Sequence, residues 1–201
     1  MTTAPAGTTD PRTSEEVRAF AVGDWESISV ELRPAEDRTG GGAVEPTRLR
    51  RRFTYHDTET FTGTITMYVD DYGRAPLLDF EFKGHLIWGG PHPIADGAYE
   101  IDYVLDDGFA VTPLAAAAAE MLNAGLVDGL TPFELGIRAD ILGKSFPMFN
   151  IAEGQTVVDY DLIYFRDGLL FMGAKHVDGT PFDTPARRPH QLQIPMVRVL
   201  R

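Results

Sequence analysis

The amino-acid sequence predicts a mainly β protein: an antiparallel β-barrel of about eight strands carrying one short helical insertion. Three observations predict it. Apolar and polar residues alternate with period two through most of the chain from Arg48 onward, the pattern of strands with one buried face. Short turn signals separate the runs, so neighbours in sequence become neighbours in an antiparallel sheet. One stretch, about 112–142, interrupts the alternation with helix-like sequence. A meander of this length keeps two unpaired edges unless it closes on itself, and closure removes them. An open sheet with the helical pair packed on one face fits the same pattern.

The elements follow in order. Residues 1–12 open Thr/Ala/Pro/Gly-rich and read as a disordered leader, with one domain over 13–201. Thr13-Ser14-Glu15-Glu16 predicts a capped helical turn through Phe20, its hydroxyls meeting free amides and its acids near the positive helix end. Gly23-Asp24-Trp25 opens a strand running from Glu26 to Arg33 and closed by Pro34. Asp37–Ala43, with Gly40-Gly41-Gly42, reads as a flexible loop. Leu49, Arg51, Phe53 and Tyr55 share one face. After a turn at Asp57-Thr58, Phe61, Gly63, Ile65, Met67 and Val69 alternate with polar residues, mostly threonine, which makes a hairpin. Leu78, Phe80, Phe82, Leu86 and Trp88 form the next inward set, ended by Gly89-Gly90-Pro91, before Tyr99, Ile101, Tyr103 and Leu105 resume. Thr112-Pro113 starts a helix through Asn123 with Gly125 at its end. Thr131-Pro132-Phe133-Glu134 has capping-box spacing for a second helix towards Leu142. Gln155–Phe165, Leu169–His176 and Leu192–Leu200 are the last strands, the first two joined by the hairpin signal Arg166-Asp167-Gly168.

Composition narrows the function classes. With 201 residues, 43% hydrophobic and 24% charged, the chain is an ordinary globular mixture with room for one core. A net charge of −12 argues against nucleic acid or an anionic membrane as the main partner. The absence of cysteine removes disulfides, thiolate nucleophiles and iron–sulfur clusters. Met1–Asp10 holds no apolar stretch of signal-peptide type, and the longest apolar run, near Leu114–Ala119, is far short of a membrane span. These features lead us to expect a soluble, cytoplasmic chain.

Several segments resemble the adenomatosis polyposis coli down-regulated 1 domain. Gly23-Asp24-Trp25-Glu26-Ser27 and Glu31-Leu32-Arg33-Pro34 are similar to its opening. Gly84 and the stretch Gly97-Ala98-Tyr99-Glu100-Ile101-Asp102-Tyr103 fit its middle. Its end is matched by Gly173, Asp178-Gly179, Thr184-Pro185, Arg187-Arg188-Pro189 and Gln193-Ile194-Pro195-Met196-Val197. The resemblance runs from about Gly23 to Val199 and implies a calycin- or lipocalin-like barrel that takes a lipid or another greasy ligand. The animal proteins are secreted or membrane-anchored, disulfide-bonded and two-domained, and Val30 stands where they have a cysteine. Fold is therefore what transfers, not an extracellular role.

In lipocalin-type barrels a Gly-x-Trp near the start plugs the closed end under a cation from the chain terminus. Trp25 fits that part, with Arg198 or Arg201 as the cation. An inward Trp25 makes Ser27, Ser29, Glu31 and Arg33 inward too, and leaves Glu26, Ile28, Val30 and Leu32 outward, to be covered by the helical insertion. Charges facing a barrel interior need partners. Glu31 and Arg33 therefore pair with each other, with a ligand, or with the Arg187/Arg188 loop. Arg51, inside an aromatic stripe, either snorkels outward or holds an anionic ligand group. The run Arg50-Arg51-Arg52 is too short for a nucleic-acid patch.

Candidate catalytic groups are Glu31, Arg33, Tyr103 and Tyr160. Candidate cavity-lining groups are Arg51, Phe53, Tyr55, Phe61, Phe80, Phe82, Trp88, Tyr99, Tyr164 and Phe171, half of the aromatic ones being expected as plain core. His56, His85, His92, His176 and His190 are scattered without the spacing of a metal site, and no phosphate loop or nucleophile elbow occurs. The expected function is cofactor-independent cyclisation or isomerisation of a polyketide-, isoprenoid- or lipid-like molecule, or else non-catalytic carriage of such a ligand.

Overall fold

The computed structural model describes residues 10–34, 45–127 and 129–200. The Gly40-Gly41-Gly42 loop, Arg201 and most of the expected leader lie outside them. The described elements are α1 (Ser14–Ala21), β1 (Gly23–Ser27), β2 (Glu31–Arg33), β3 (Thr47–Tyr55), β4 (Thr60–Tyr68), β5 (Pro76–Pro91), β6 (Tyr99–Pro113), α2 (Ala116–Ala124), β7 (Ala139–Asp140), β8 (Val157–Arg166), β9 (Leu169–Met172) and β10 (Met196–Arg198). All pairings are antiparallel. The order β1-β10-β9-β8-β6-β5-β4-β3 closes on itself through β1–β3 pairing, giving an eight-stranded lipocalin-like barrel with β2 and β7 as short additions. No helix among the described residues is long and apolar enough to cross a membrane.

The local rules hold at most elements. Thr13 caps α1 with a full capping box, its Oγ1 accepting from the Glu16 amide while Glu16 reaches back to the Thr13 amide. The β3–β4 hairpin pairs Leu49 with Met67, Arg51 with Ile65 and Phe53 with Gly63, so the apolar stripe faces in. Asp167 (φ 53°) and Gly168 (φ 75°) make the left-handed turn between β8 and β9.

Four expectations change. The strand read from Glu26 to Arg33 is two strands, because β1 and β2 pair with β3 across a bulge. Between Glu26↔Arg52 and Glu31↔Leu49 the first chain advances five residues and β3 only three. The two extra residues are an even number, so Trp25, Ser27 and Glu31 all remain buried while Ser29, in the bulge, is exposed. Helical cover for the outward set is likewise absent among the described residues: Ile28 and Leu32 are 53% and 60% exposed, and α2 packs on β5 and β6 instead.

Gly89-Gly90-Pro91 does not end its strand, since β5 continues to Pro91 with an irregularity after Trp88. Finally, the helical segment is shorter than expected. Thr112 and Pro113 still pair with Asp79 and Leu78, so α2 starts at Ala116; Gly125 follows it as C-cap. No second helix forms from Thr131. Asn123 clamps the Phe133 backbone at both ends, its Oδ1 accepting from Phe133 N (2.7 Å) and its Nδ2 donating to Phe133 O (2.9 Å). Gly136 then turns the chain at φ 75°, donating its amide to Pro113 O. These three bonds take backbone groups that a helical ladder would need.

The core is arranged along the barrel axis. One end is plugged by buried Trp25 with Val17, Phe20 and Ala21 of α1 and Phe165 of β8, the Trp25 and Phe165 rings 5.4 Å apart. Arg198 closes this end, its guanidinium 4.4 Å from the Trp25 ring and its two terminal nitrogens donating to the carbonyls of Val22 and Phe20. A middle layer interlocks Phe53, Tyr55, Phe61, Phe82 and Tyr103. Gly63 admits it, since a Cβ there would overlap the Phe82 ring, and Gly84 lets β5 and β6 approach, since a Cβ there would strike the Val104 carbonyl oxygen.

Candidate active site

Beyond the middle layer the barrel interior opens into a cavity of about 850 Å³. Phe53, Phe82, Tyr103 and Phe109 form its apolar depth, and Leu49, Ile65, Met67, Phe80 and Leu105 its walls. Phe149, from the segment before β8, reaches over it with its ring 4.8 Å from Phe80 and parallel to Phe109 at 6.3 Å. One side is ionic: Arg33, Arg51, Asp159, Asp161 and Lys175 all line the cavity.

The bulge builds the centre of this ionic side. By displacing β1 from β3 it frees the Arg51 amide, which Ser27 Oγ accepts at 2.8 Å. That hydroxyl donates to Glu31 Oε1 at 2.5 Å, and Arg51 Nε reaches the same oxygen at 2.7 Å. Glu31 and the Arg51 side chain are each only 2% exposed. The remaining Arg51 nitrogens meet the Met172 sulfur (2.9 Å) and the Ile194 carbonyl (3.4 Å). Arg51 therefore does not snorkel outward; it is the buried partner of Glu31 at the cavity wall, while Arg50 and Arg52 on the opposite face are exposed. Arg33 touches Glu31 Oε2 through two longer contacts of 3.3 Å, and burial together with the Arg51 charge lowers its basicity.

Asp159 and Asp161 face this group from β8. They stand two residues apart on one face of the strand, alternating with Tyr160 and Leu162. Asp161 is buried and anchored through Oδ1, which accepts from the Leu162 and Gly173 amides at 2.7 and 2.8 Å. Gly173 has no room for a side chain, as a Cβ there would strike Asp161 and Pro189. The Asp159 carboxylate makes no hydrogen bond among the described residues. Burial raises both carboxyls, Asp159 to about 7 with added repulsion from Asp161, and Asp161 to about 6 against the pull of its two amides. Such a pair holds a proton near neutrality and can give or take one.

Tyr55 and Tyr103 share a hydroxyl–hydroxyl hydrogen bond of 2.6 Å. Burial keeps both phenols neutral by raising them well above the ordinary tyrosine range. Only Tyr103 of the two lines the cavity.

Of the expected catalytic set, the fold brings Arg33 and Tyr103 into the cavity wall, whereas Tyr160 only borders it, its ring on the outer side of β8 with Arg188 5.6 Å over it. Glu31 lies behind Arg51 and Arg33 rather than at the cavity surface. It does not meet the Arg187/Arg188 loop. Arg188 instead binds Asp102 (2.7 Å) and the carbonyls of Ile101 and Asp161, and Arg187 binds Asp183 (2.8 Å). Of the expected lining set, Arg51, Phe53, Phe80 and Phe82 are at the cavity, whereas Tyr55 and Phe61 are buried core behind it. Trp88 carries Arg18 at 5.2 Å, Tyr99 donates to the Arg12 carbonyl, and Tyr164 pairs with Phe171 across the outer face of β8–β9. Those four lie away from the cavity because strand alternation turns them, or the ends of their strands, elsewhere. The sequence reading missed Asp159, Asp161, Lys175 and Phe149. Applying period two to Val157, Asp159, Asp161, Ile163 and Phe165 places both aspartates on an apolar, inward face.

Among the described residues no group of three or more His, Asp or Glu side chains is arranged to hold a metal ion. No known protein-family model matches the chain.

Proposed function

We propose that the barrel binds a hydrophobic small molecule in its cavity and catalyses its cyclisation or isomerisation without a cofactor. The observation that carries this reading is the cavity itself: an aromatic interior large enough for a small polyketide-, isoprenoid- or lipid-like molecule, with a titratable wall at one side. The aromatic depth would fold a flexible substrate and exclude water. Asp159 and Asp161 would move protons, Arg33 would stabilise developing negative charge, and the neutral Tyr103 hydroxyl would orient a polar group. Glu31 acts through Arg33 and Arg51 as a positioning residue. The resemblance to the adenomatosis polyposis coli down-regulated 1 domain supports the same ligand class.

A carrier role has one specific observation in its favour. Glu31, Arg51 and the Tyr55–Tyr103 pair satisfy one another without a ligand, as in a site built only to hold. Native mass spectrometry of the purified protein identifies any retained molecule, and incubation of that molecule with stripped protein separates the readings. Conversion supports the enzyme. Binding without conversion supports the carrier. Failure to bind any apolar probe refutes both.

A further inference from the structure

The buried Tyr55–Tyr103 pair gives each phenol oxygen a partner but leaves one hydrogen over. The two hydroxyls lie 2.6 Å apart, each residue is 2% exposed, and among the described residues neither hydroxyl has another hydrogen-bond partner. Two O–H groups thus share one bond, and a buried donor without an acceptor costs its full desolvation. The two possible arrangements differ in where the spare hydrogen lies. With Tyr103 as donor it would sit on Tyr55, in packed core off the cavity. With Tyr55 as donor it sits on Tyr103, which lines the cavity, where an acceptor can enter. Only the second arrangement leaves no permanently orphaned group, so Tyr55 donates and Tyr103 offers its hydrogen to the cavity.

The register of the sheet sets a carboxyl beside that donor. Tyr103 of β6 is the direct cross-strand partner of Asp159 of β8, so the two side chains leave the same face as nearest neighbours. Both line the cavity. Asp159 faces Asp161 on its own strand, Arg33 of β2, Arg51 of β3 and Lys175 after β9, yet its carboxyl makes no hydrogen bond among the described residues. Asp161 is paired with Ile101 instead, and its Oδ1 is taken by the Leu162 and Gly173 amides. Asp159 is therefore the freer proton carrier. Beside it stands a donor suited to a carbonyl oxygen in apolar surroundings.

We propose that the substrate is an apolar ketone and that Tyr103 and Asp159 are the catalytic pair that converts its β,γ-unsaturated form to the conjugated α,β isomer. The proposal rests on the reading of the cavity as an isomerase site and adds the functional group and the residues that meet it. Tyr103 donates to the ketone oxygen, and Tyr55 is a positioning residue that polarises it from behind. The Asp159 carboxylate takes a proton from the α carbon. The C–H electron pair becomes a double bond to the carbonyl carbon, and the carbonyl π pair moves to the oxygen under the Tyr103 hydrogen. The carbonyl then re-forms, the double bond settles between the α and β carbons, and the γ carbon takes the proton back from Asp159. Substrate and product are isomers, so no oxidant or second reactant enters.

The test incubates the full chain with a ten-carbon, straight-chain β,γ-unsaturated methyl ketone and follows its vinyl protons by NMR, with decanone as the unreactive analogue for infrared spectra. The conjugated isomer should accumulate, at a rate that rises with pH through about 7 and then levels off as Asp159 ionises. Bound decanone should show its carbonyl stretch at lower wavenumber than in hexane. Asp159→Asn should bind decanone with the same stretch but convert the unsaturated ketone at least about 100-fold more slowly. Tyr103→Phe should slow conversion by about 100-fold or more and lose the infrared shift. Tyr55→Phe should keep only part of the shift, a readout that a merely structural role would not move. The wild-type conversion and shift stand on their own should a variant not fold. Binding without conversion, an unshifted carbonyl, or an undiminished rate in a folded Asp159 or Tyr103 variant overturns the proposal and leaves the cavity as a ligand site. Failure of both ketones and of decanol to bind overturns the ligand-site reading as well.

Discussion

Replacing Glu31 with Gln isolates the charge at the centre of the ionic wall. The substitution preserves volume and leaves an acceptor for Ser27 Oγ and Arg51 Nε, now 2.5 and 2.7 Å from Glu31 Oε1. What it removes is the countercharge of a guanidinium that is 2% exposed and otherwise meets only a thioether sulfur and one carbonyl among its hydrogen-bond partners. Breaking such a buried pair from one side costs about 3–5 kcal/mol. The retained hydrogen bond returns about 1 kcal/mol of that, so a loss near 3 kcal/mol is expected. With a urea dependence of about 2 kcal/mol per molar, the unfolding midpoint should fall by about 1.5 M. The double variant Glu31→Gln/Arg51→Met should recover to within about 1 kcal/mol of the parent, because apolar replacement of a whole buried pair is near neutral. Urea unfolding followed by circular dichroism reads both. A single variant that loses less than about 1 kcal/mol, the range of an exposed pair, would refute the buried-pair argument. A double variant no better than the single would show that uncompensated charge is not the cause.

Three further outcomes follow from the same geometry. The carboxyls of Asp159 and Asp161 are raised by folding, so between about pH 4 and 7 the folded chain binds more protons than the unfolded one and their contribution to stability falls as pH rises. His92, lowered by burial, acts with the opposite sign near its ordinary range; the wild type minus Asp159→Asn difference in urea midpoint across pH 5–7.5 therefore reads the aspartate pair, and a pH-independent difference would contradict it. Arg198→Ala removes the cation over Trp25 and two donors to the carbonyls of Phe20 and Val22 at the end of α1, with an expected loss of about 2–3 kcal/mol in urea unfolding; Arg198→Lys should restore only part, since the fork reaching both carbonyls is lost. Gly84→Ala drives a methyl into the Val104 backbone carbonyl and should cost about 3 kcal/mol or more or abolish soluble expression, whereas Gly90→Ala, with open space around it, should change the urea midpoint little.

Hairpin turns and the capped first helix were legible in the amino-acid sequence, because each depends on residues within a few positions of one another, whereas the Trp25 plug was legible only through the resemblance, since Phe165 and Arg198 that complete it are far away in sequence. Period two along β3 and β4 decides which side chains face in, and Asp167-Gly168 decides a turn, whatever the rest of the chain does. Closure of the barrel through β1–β3 pairing, by contrast, joins residues about thirty apart, and nothing local signals the two-residue bulge that splits β1 from β2. That bulge is what frees the Arg51 amide for Ser27 and sets Glu31 against Arg51. The helix expected after Thr131 failed for the same kind of reason: the Asn123 side chain, ten residues earlier, takes the Phe133 backbone. Composition and alternation determined that this chain is an antiparallel β protein with an aromatic interior. Tertiary structure alone decided which charges meet inside it, because the low-polarity interior leaves each buried charge to be satisfied by whichever partner the distant strands deliver.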